Sequence, residues 1–331
     1  MKIALFGSDT EKFNKVYTPS VIRRLEGFGE LSPIIDKENI EENREFLTDC
    51  EFAFSTWGMP DFTEADIKKY MPSLKAVFYS AGSVQYFARP FLNSGIKIFS
   101  AFAANAVPVT EYTFAQIILA AKGFFQASTN YKLLHRRSVA HAGTASGNYE
   151  CKIGLIGLGA IGKEVAKRLQ SLDVEVLACD PFIPEETAKA LGVTLVDMDT
   201  IFSECDVISN HLADKEELKN IFNYSLFRKM KKHSVFINTG RGNQVDEFAL
   251  ARSLILHPSR TFLGDVLKKE SFPYSSPLFW CPNAILTPHI AGSMGNETQR
   301  MAHYMMDEFE RLLEGKETKY EITLSQLEKM A

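Results

Sequence analysis

The chain has 331 residues, 45% of them hydrophobic and 24% charged, with a formal net charge of −4 and a pI near 6.0. That length favours two domains, since single cores stop growing below about 300 residues, and the mild acidity excludes the basic footprint of a nucleic-acid or anionic-membrane binder. No apolar run reaches the roughly 18 residues of a membrane span, and the opening "MKIALFGSDTEKF" is too short for a signal core, so a cytoplasmic protein is expected. Five cysteines, Cys50, Cys151, Cys179, Cys205 and Cys281, are scattered without a C-x-x-C pair, and the seven histidines lack metal-ligand spacing. No metal is expected.

Short apolar runs alternate with helical patterns almost throughout, the signature of βαβ units and a parallel sheet. The first series of strand candidates is "KIALFG", "LSPII", "FAFST", "KAVFYS" and "IKIFS", which predicts a small flavodoxin-like domain ending near Ser100. Next comes "NAVPVTEYTFAQIILAAKGFFQASTNYKLLHR". There Val107, Phe114, Ile117, Ile118 and Ala121 recur near helical spacing, so it reads as a connecting helix. The small, polar "SVAHAGTASGNYE" reads as a loop.

From Lys152 the alternation restarts in "KIGLIG", "VEVLACD", "VTLVD", "VISNHL", "SVFINTG", "TFLGDV" and "AILTPH". This is the longer run of a dinucleotide-type domain, and the final helical stretch crosses back to the first domain. The predicted fold is therefore α/β with two doubly wound parallel-sheet domains. A flavodoxin-like domain takes residues 1–105 plus 297–331, and a Rossmann domain takes residues 106–296.

In "IGLIGLGAIGKEVAKRL" the residues Gly157, Gly159 and Gly162 form G-x-G-x-x-G between a strand and a helix. Gly157 suits the tight turn, Gly159 lets a pyrophosphate approach the backbone, and Gly162 lets helix and strand pack closely. The free N–H groups at the helix start, from Ala160 and Ile161, would face the anion. Asp180 ends the next strand 18 residues after Gly162, a spacing at which a carboxylate accepts bonds from the adenosine ribose and repels a 2′-phosphate. No Arg or Lys follows in "PFIP". The expected cofactor is NAD.

Three more residues stand at or beyond strand ends of the same domain: Arg241 between two glycines, Glu270 and His289. An arginine grips a carboxylate with a planar fork, a histidine transfers protons near neutral pH, and a carboxylate beside it favours the imidazolium. Each has a plainer reading, as a turn cation, an exposed charge or a strand cap. Together they would reduce a 2-oxo acid.

The pieces "GLIGLGAIG", "CDPF", "SNHLADKEELKNIFN", "FINTGRGNQVDE", "FLGDVLKKE" and "ILTPHIAGS" closely resemble the D-isomer-specific 2-hydroxyacid dehydrogenases, over nearly the whole chain. The resemblance implies that Arg241 binds substrate, His289 gives its proton to the carbonyl and Glu270 orients His289. It also implies that Asp265 meets the nicotinamide carboxamide, that Asn210, His211, Leu212 and Thr239 line the cofactor, and that Arg241 and His289 border it. The loop "SAGSVQYF" would hold the substrate carboxylate through Ala81, Gly82 and Ser83. It departs from the family, with Val84 at the second glycine and Tyr86 where Asp is usual, and Tyr86, Phe87 and Trp57 could wall an apolar pocket. Ser271 follows Glu270 where the family often has proline. The implied protein is a homodimeric NAD-dependent oxidoreductase acting on a small 2-oxo or D-2-hydroxy acid. The alternative is a catalytically idle NAD-sensing protein of the same fold.

Overall fold

The first five strands are β1 (Lys2–Phe6), β2 (Glu30–Ile35), β3 (Cys50–Ser55), β4 (Ala76–Tyr79) and β5 (Lys97–Ser100). The next seven are β6 (Tyr149–Ile156), β7 (Asp173–Cys179), β8 (Thr194–Leu195), β9 (Val207–Asn210), β10 (Val235–Asn238), β11 (Thr261–Gly264) and β12 (Ala284–Leu286). A short β13 (Glu321–Ile322) pairs antiparallel with β5. The first sheet runs β13-β5-β4-β3-β1-β2 and the second β12-β11-β10-β9-β6-β7-β8. All other pairings are parallel. Strands such as β4 (AVFY) and β10 (VFIN) are buried along their whole length, which is why they read as continuous apolar runs.

The computed structural model describes residues 1–327. It divides into two units: Met1–Ala106 with the chain from Ser293 onward, and Val107–Gly292. In each sheet the strand order reverses beside the first strand of that unit, the place where open α/β sheets present a ligand crevice at their carboxyl edge. The helix Thr298–Leu313 belongs to the first unit because Phe309 packs edge-on against Phe52, Phe54 and Phe78, with centroids 5.2 to 5.3 Å apart.

The segment after β5 differs from the single connecting helix expected. Helix Phe102–Ala121 stops before Gly123, whose φ of +65 breaks the α geometry, and a second helix, Phe124–Tyr131, follows. A third, His135–Ala142, takes in the first five residues of the segment read as a loop. It is held locally, with Ser138 Oγ donating to the Ala127 carbonyl at 2.7 Å. The expected strand "VTLVD" shrinks to two residues.

Two polar groups brace the second unit. Arg260, 5% exposed, donates to the carbonyls of Phe227 (3.0 Å), Lys231 (3.3 Å), Met230 and Arg228 and to Ser253 Oγ (2.9 Å). A guanidinium has enough donors to satisfy such a cluster of turn carbonyls, and removing it leaves them dry and unpaired. His211, just beyond β9, has Nε2 3.0 Å from Ser209 Oγ, and its carbonyl stands 2.9 Å from where a Cβ on Gly157 would lie. Desolvation by the surrounding protein pushes its pKa down from 6.5 to about 4.

Arg260→Met should lose about 3 to 5 kcal/mol in urea unfolding, the range for stripping a buried charged donor from its partners; a loss below about 1 kcal/mol would show that water replaces it. For His211 the sign follows from the depressed pKa. As pH falls below 6.5 the unfolded chain takes a proton that the folded chain refuses until about pH 4, so stability drops with pH across that window. Between pH 7 and pH 5 the wild type should lose roughly 1 to 2 kcal/mol more than His211→Gln, and parallel stability profiles would contradict this.

Candidate active site

The glycine turn after β6 is shaped by close approach. Gly157 has φ +90, and a Cβ on Gly162 would sit 2.0 Å from the Gly157 carbonyl oxygen, so helix Ala160–Leu169 can start here only with glycine at both places. Gly159 faces open space, with nothing within 4 Å of a Cβ built on it, and caps the helix without a side-chain bond. The N–H groups of Ala160, Ile161 and Gly162 begin that helix. An open glycine backbone beside unpaired first-turn donors fits a pyrophosphate.

Asp180, beyond β7, accepts from the Leu158 N–H at 2.7 Å and the Phe182 N–H at 2.9 Å. Its carboxylate is thus tied to the glycine turn, and each oxygen retains a lone pair for a ribose hydroxyl.

The loops after β9 and β10 are bolted together by buried amides. Asn210 Nδ2 donates to Asn238 Oδ1 (2.9 Å) and Gln244 Oε1 (2.7 Å). Gln244 Nε2 donates to the Ala213 carbonyl (2.7 Å), and Asn238 Nδ2 to the Arg241 carbonyl (3.2 Å). Leu212 N–H returns to Asn210 Oδ1 at 3.0 Å. A Cβ on Gly240 would lie 2.6 Å from Asn210 Nδ2, and one on Gly242 2.2 Å from the Leu267 carbonyl carbon, which is why Arg241 sits between glycines. Thr239 Oγ1 is 3.2 Å from Thr113 Oγ1.

Asp265, 2% exposed, follows β11 and holds the loop that carries the histidine. Its carboxylate accepts from Thr287 Oγ1 (2.6 Å), Ile290 N–H (2.9 Å) and Ala291 N–H (2.9 Å), and its carbonyl accepts from His289 N–H (2.9 Å). Tyr112 lies behind, with its hydroxyl 3.0 Å from Thr287 Oγ1. His289 takes φ +55, uncommon for a residue with a side chain. Its Nδ1 is 2.9 Å from Glu270 Oε2. Glu270 and Arg241 line one open cleft of about 420 Å³, together with Asn243, Lys268, Lys269 and Ser271. The structure thus brings Arg241, Glu270 and His289 to the carboxyl edge of one sheet.

Ala81, Gly82 and Ser83 lie in the other unit, beyond β4. The Ser100 hydroxyl reaches the carbonyls of Ala81 (3.0 Å) and Gly82 (2.6 Å), while among the described residues the N–H groups of Gly82 and Ser83 have no partner. Val84 and Phe87 are fully buried core residues. Phe87 therefore lines no open pocket, and Trp57 also packs on that core. Tyr86 is 52% exposed, with its hydroxyl 3.5 Å from that of Tyr79. Sequence reasoning assigned nothing to Asn238, Gln244, Thr287 and Tyr112. The first two stand inside the quoted "FINTGRGNQVDE", where uncharged amides beside a buried strand are the signal that could have found them. It also passed over Asp214, whose Oδ2 is 3.4 Å from Arg241 Nε.

The family model for "D-isomer specific 2-hydroxyacid dehydrogenase, NAD binding domain" matches residues 114–291. The chain is 30% identical over 245 residues to a D-3-phosphoglycerate dehydrogenase of Archaeoglobus fulgidus, covering 71% of this chain and 44% of that protein. It is 30% identical over 221 residues to an (S)-sulfolactate dehydrogenase of Chromohalobacter salexigens, covering 66% and 71%. It spans about a third to a half of the length of the phosphoglycerate dehydrogenases it matches. Its fold is similar to that of a D-isomer specific 2-hydroxyacid dehydrogenase from Lactobacillus delbrueckii ssp. bulgaricus in an NAD-complexed form, with TM-score 0.78, 18% identity, and coverage of 98% of this chain and 100% of that one. Since the family model takes in more than half of the chain, the protein belongs to the D-isomer specific 2-hydroxyacid dehydrogenase family and carries its NAD-binding domain.

Proposed function

We propose that the protein is an NAD-dependent oxidoreductase that interconverts a small 2-oxo acid and the D-2-hydroxy acid. The observation that carries this reading is the 2.9 Å bond from His289 Nδ1 to Glu270 Oε2, beside a cleft that Glu270 shares with Arg241. A carboxylate on Nδ1 fixes the orientation of the ring, leaving Nε2 to hand its proton to the carbonyl oxygen. Arg241 binds the substrate carboxylate and polarises the adjacent carbonyl. NADH, when bound, supplies the hydride. In the other unit, the N–H groups of Gly82 and Ser83 are offered as donors to a carboxylate, with the carbonyls of Ala81 and Gly82 held by the Ser100 hydroxyl.

For the cofactor, the pyrophosphate would lie on Gly157 to Gly162 and the ribose on Asp180, with Asn210, His211, Leu212 and Thr239 lining the remainder. Asp265 keeps one lone pair on Oδ2 for the carboxamide. A carboxylate at Asp180, with no cation in residues 181–184, supports NAD over NADP; NADPH turnover equal to that with NADH would exclude it. The apolar Phe124, Tyr131, Leu133, Leu134 and Val139, all exposed on and between two helices after β5, support a homodimer, which light scattering would read as twice 37.2 kDa. Five unpaired cysteines suit the cytoplasm. No observation favours a catalytically idle NAD sensor.

A panel of 2-oxo acids from glyoxylate to phenylpyruvate, assayed by NADH oxidation, tests the activity, and no turnover with any of them would overturn it. His289→Ala should lower kcat by about 10² to 10⁴ with NADH affinity nearly unchanged. Arg241→Ala should raise KM and lower kcat together, and Arg241→Lys should recover little because it lacks the fork. Glu270→Gln keeps the shape but replaces the carboxylate partner of His289 Nδ1, so kcat should fall with NADH affinity nearly unchanged. An unchanged kcat, with hydride transfer rate-limiting, would remove Glu270 from the mechanism.

A further inference from the structure

Arg241 is already engaged. Its Nη1 donates to the Gly240 carbonyl at 2.9 Å, and its Nε stands 3.4 Å from Asp214 Oδ2. A guanidinium offers two forks, a side-on pair from Nε and Nη2 and an end-on pair from Nη1 and Nη2. With Nε facing Asp214, the side-on fork is closed to a second carboxylate. Nη1 carries two hydrogens, so with one on the Gly240 carbonyl the other still completes the end-on fork with Nη2.

Asp214 is itself well placed. It follows Ala213, whose carbonyl is held by Gln244 Nε2 at 2.7 Å, and Gln244, 1% exposed, is held in turn by Asn210. Arg241 is anchored from the same network through its own carbonyl, which Asn238 Nδ2 binds at 3.2 Å. The ion pair therefore joins two backbone segments whose separation is already set by buried amides. Two charges so fixed need little further ordering to meet, unlike a chance pair of surface side chains.

We propose that Asp214 is a positioning residue for Arg241, holding the guanidinium so that its end-on fork meets the substrate carboxylate. This rests on the reading that Arg241 binds a 2-oxo acid. The opposite role predicts the opposite sign: if Asp214 merely repelled the incoming anion, removing it would lower KM. The side chains are 36% and 47% exposed, so the effect is modest, about three- to fivefold in KM, which is what an exposed pair supports.

The test compares wild type with Asp214→Ala and Asp214→Asn at saturating NADH, using the best 2-oxo acid of the panel. Alongside it, NADH affinity is read by fluorescence titration, and phenylglyoxal labelling of the Arg241 peptide by mass spectrometry. Asp214→Ala should raise KM about three- to fivefold, change kcat less than about twofold, leave NADH affinity alone and speed Arg241 labelling about threefold. Asp214→Asn, which keeps an acceptor, should recover most of the KM. In an Arg241→Ala background, Asp214→Ala should add nothing. A KM that is unchanged or lower in Asp214→Ala, or additive in the double variant, overturns the proposal. If the wild type reduces no 2-oxo acid, the function fails separately and labelling decides: faster labelling upholds the restraint on Arg241, and equal labelling overturns it.

Discussion

The buried carboxylate of Asp265 is the constraint on which the geometry around His289 depends. A carboxylate taken out of water is costly unless donors replace the water, and here three do so: a threonine hydroxyl and two successive backbone N–H groups of the His289 loop. Its own carbonyl takes the N–H of His289. Four bonds from one residue to one short loop are enough to hold His289 at φ +55, a left-handed conformation that costs about 1 to 2 kcal/mol for a residue with a Cβ. The backbone is then fixed before the ring is considered. Glu270 has only the ring left to orient, and one bond to Nδ1 suffices.

A second buried layer does for Arg241 what Asp265 does for His289. Asn210, Asn238 and Gln244 are each 0 or 1% exposed, and their amides cross-link the loops that follow β9 and β10. An apolar replacement at any of the three would leave partners buried and unpaired, so the network is an all-or-none device. It also explains the glycines on either side of Arg241: the amide of Asn210 and the backbone at Leu267 come too close for any Cβ. The arginine is therefore presented from a backbone pinned on both flanks.

The parts of the site that were legible in the sequence are those whose chemistry demands a residue type at a short, fixed spacing. Gly157, Gly159, Gly162 and Asp180 follow from one strand–turn–helix–strand unit, and Arg241 and His289 each follow a strand within a few residues. Most of the strands were legible for the same reason, since alternating apolar runs and helical patterns are local signals. What was not legible is held across long separations by groups with no periodic mark. Tyr112 and Thr287 meet over 175 positions, and Asp214 stands in "ADKEELKN", where one more charge reads as solvated surface. The helix His135–Ala142 hid for another reason: its polar face is mostly exposed, so no apolar stripe announced it, and a serine bond to the preceding helix holds it instead.

The departures at Val84 and Tyr86 differ in what they change. Ser100 holds the carbonyls of Ala81 and Gly82 from the next strand, whatever side chains follow. Val84 points into the core with no exposed surface, so in place of a glycine it fills volume beneath the loop and leaves the donors above it free. Tyr86 alone changes the exposed surface, because its ring is half exposed and its hydroxyl is near that of Tyr79, at 3.5 Å. An aspartate at that position would carry a negative charge, whereas a phenol offers a neutral hydroxyl and an aromatic face. The residue at 86 thus changes the charge and the exposed surface beside the loop, while Val84 changes only its support.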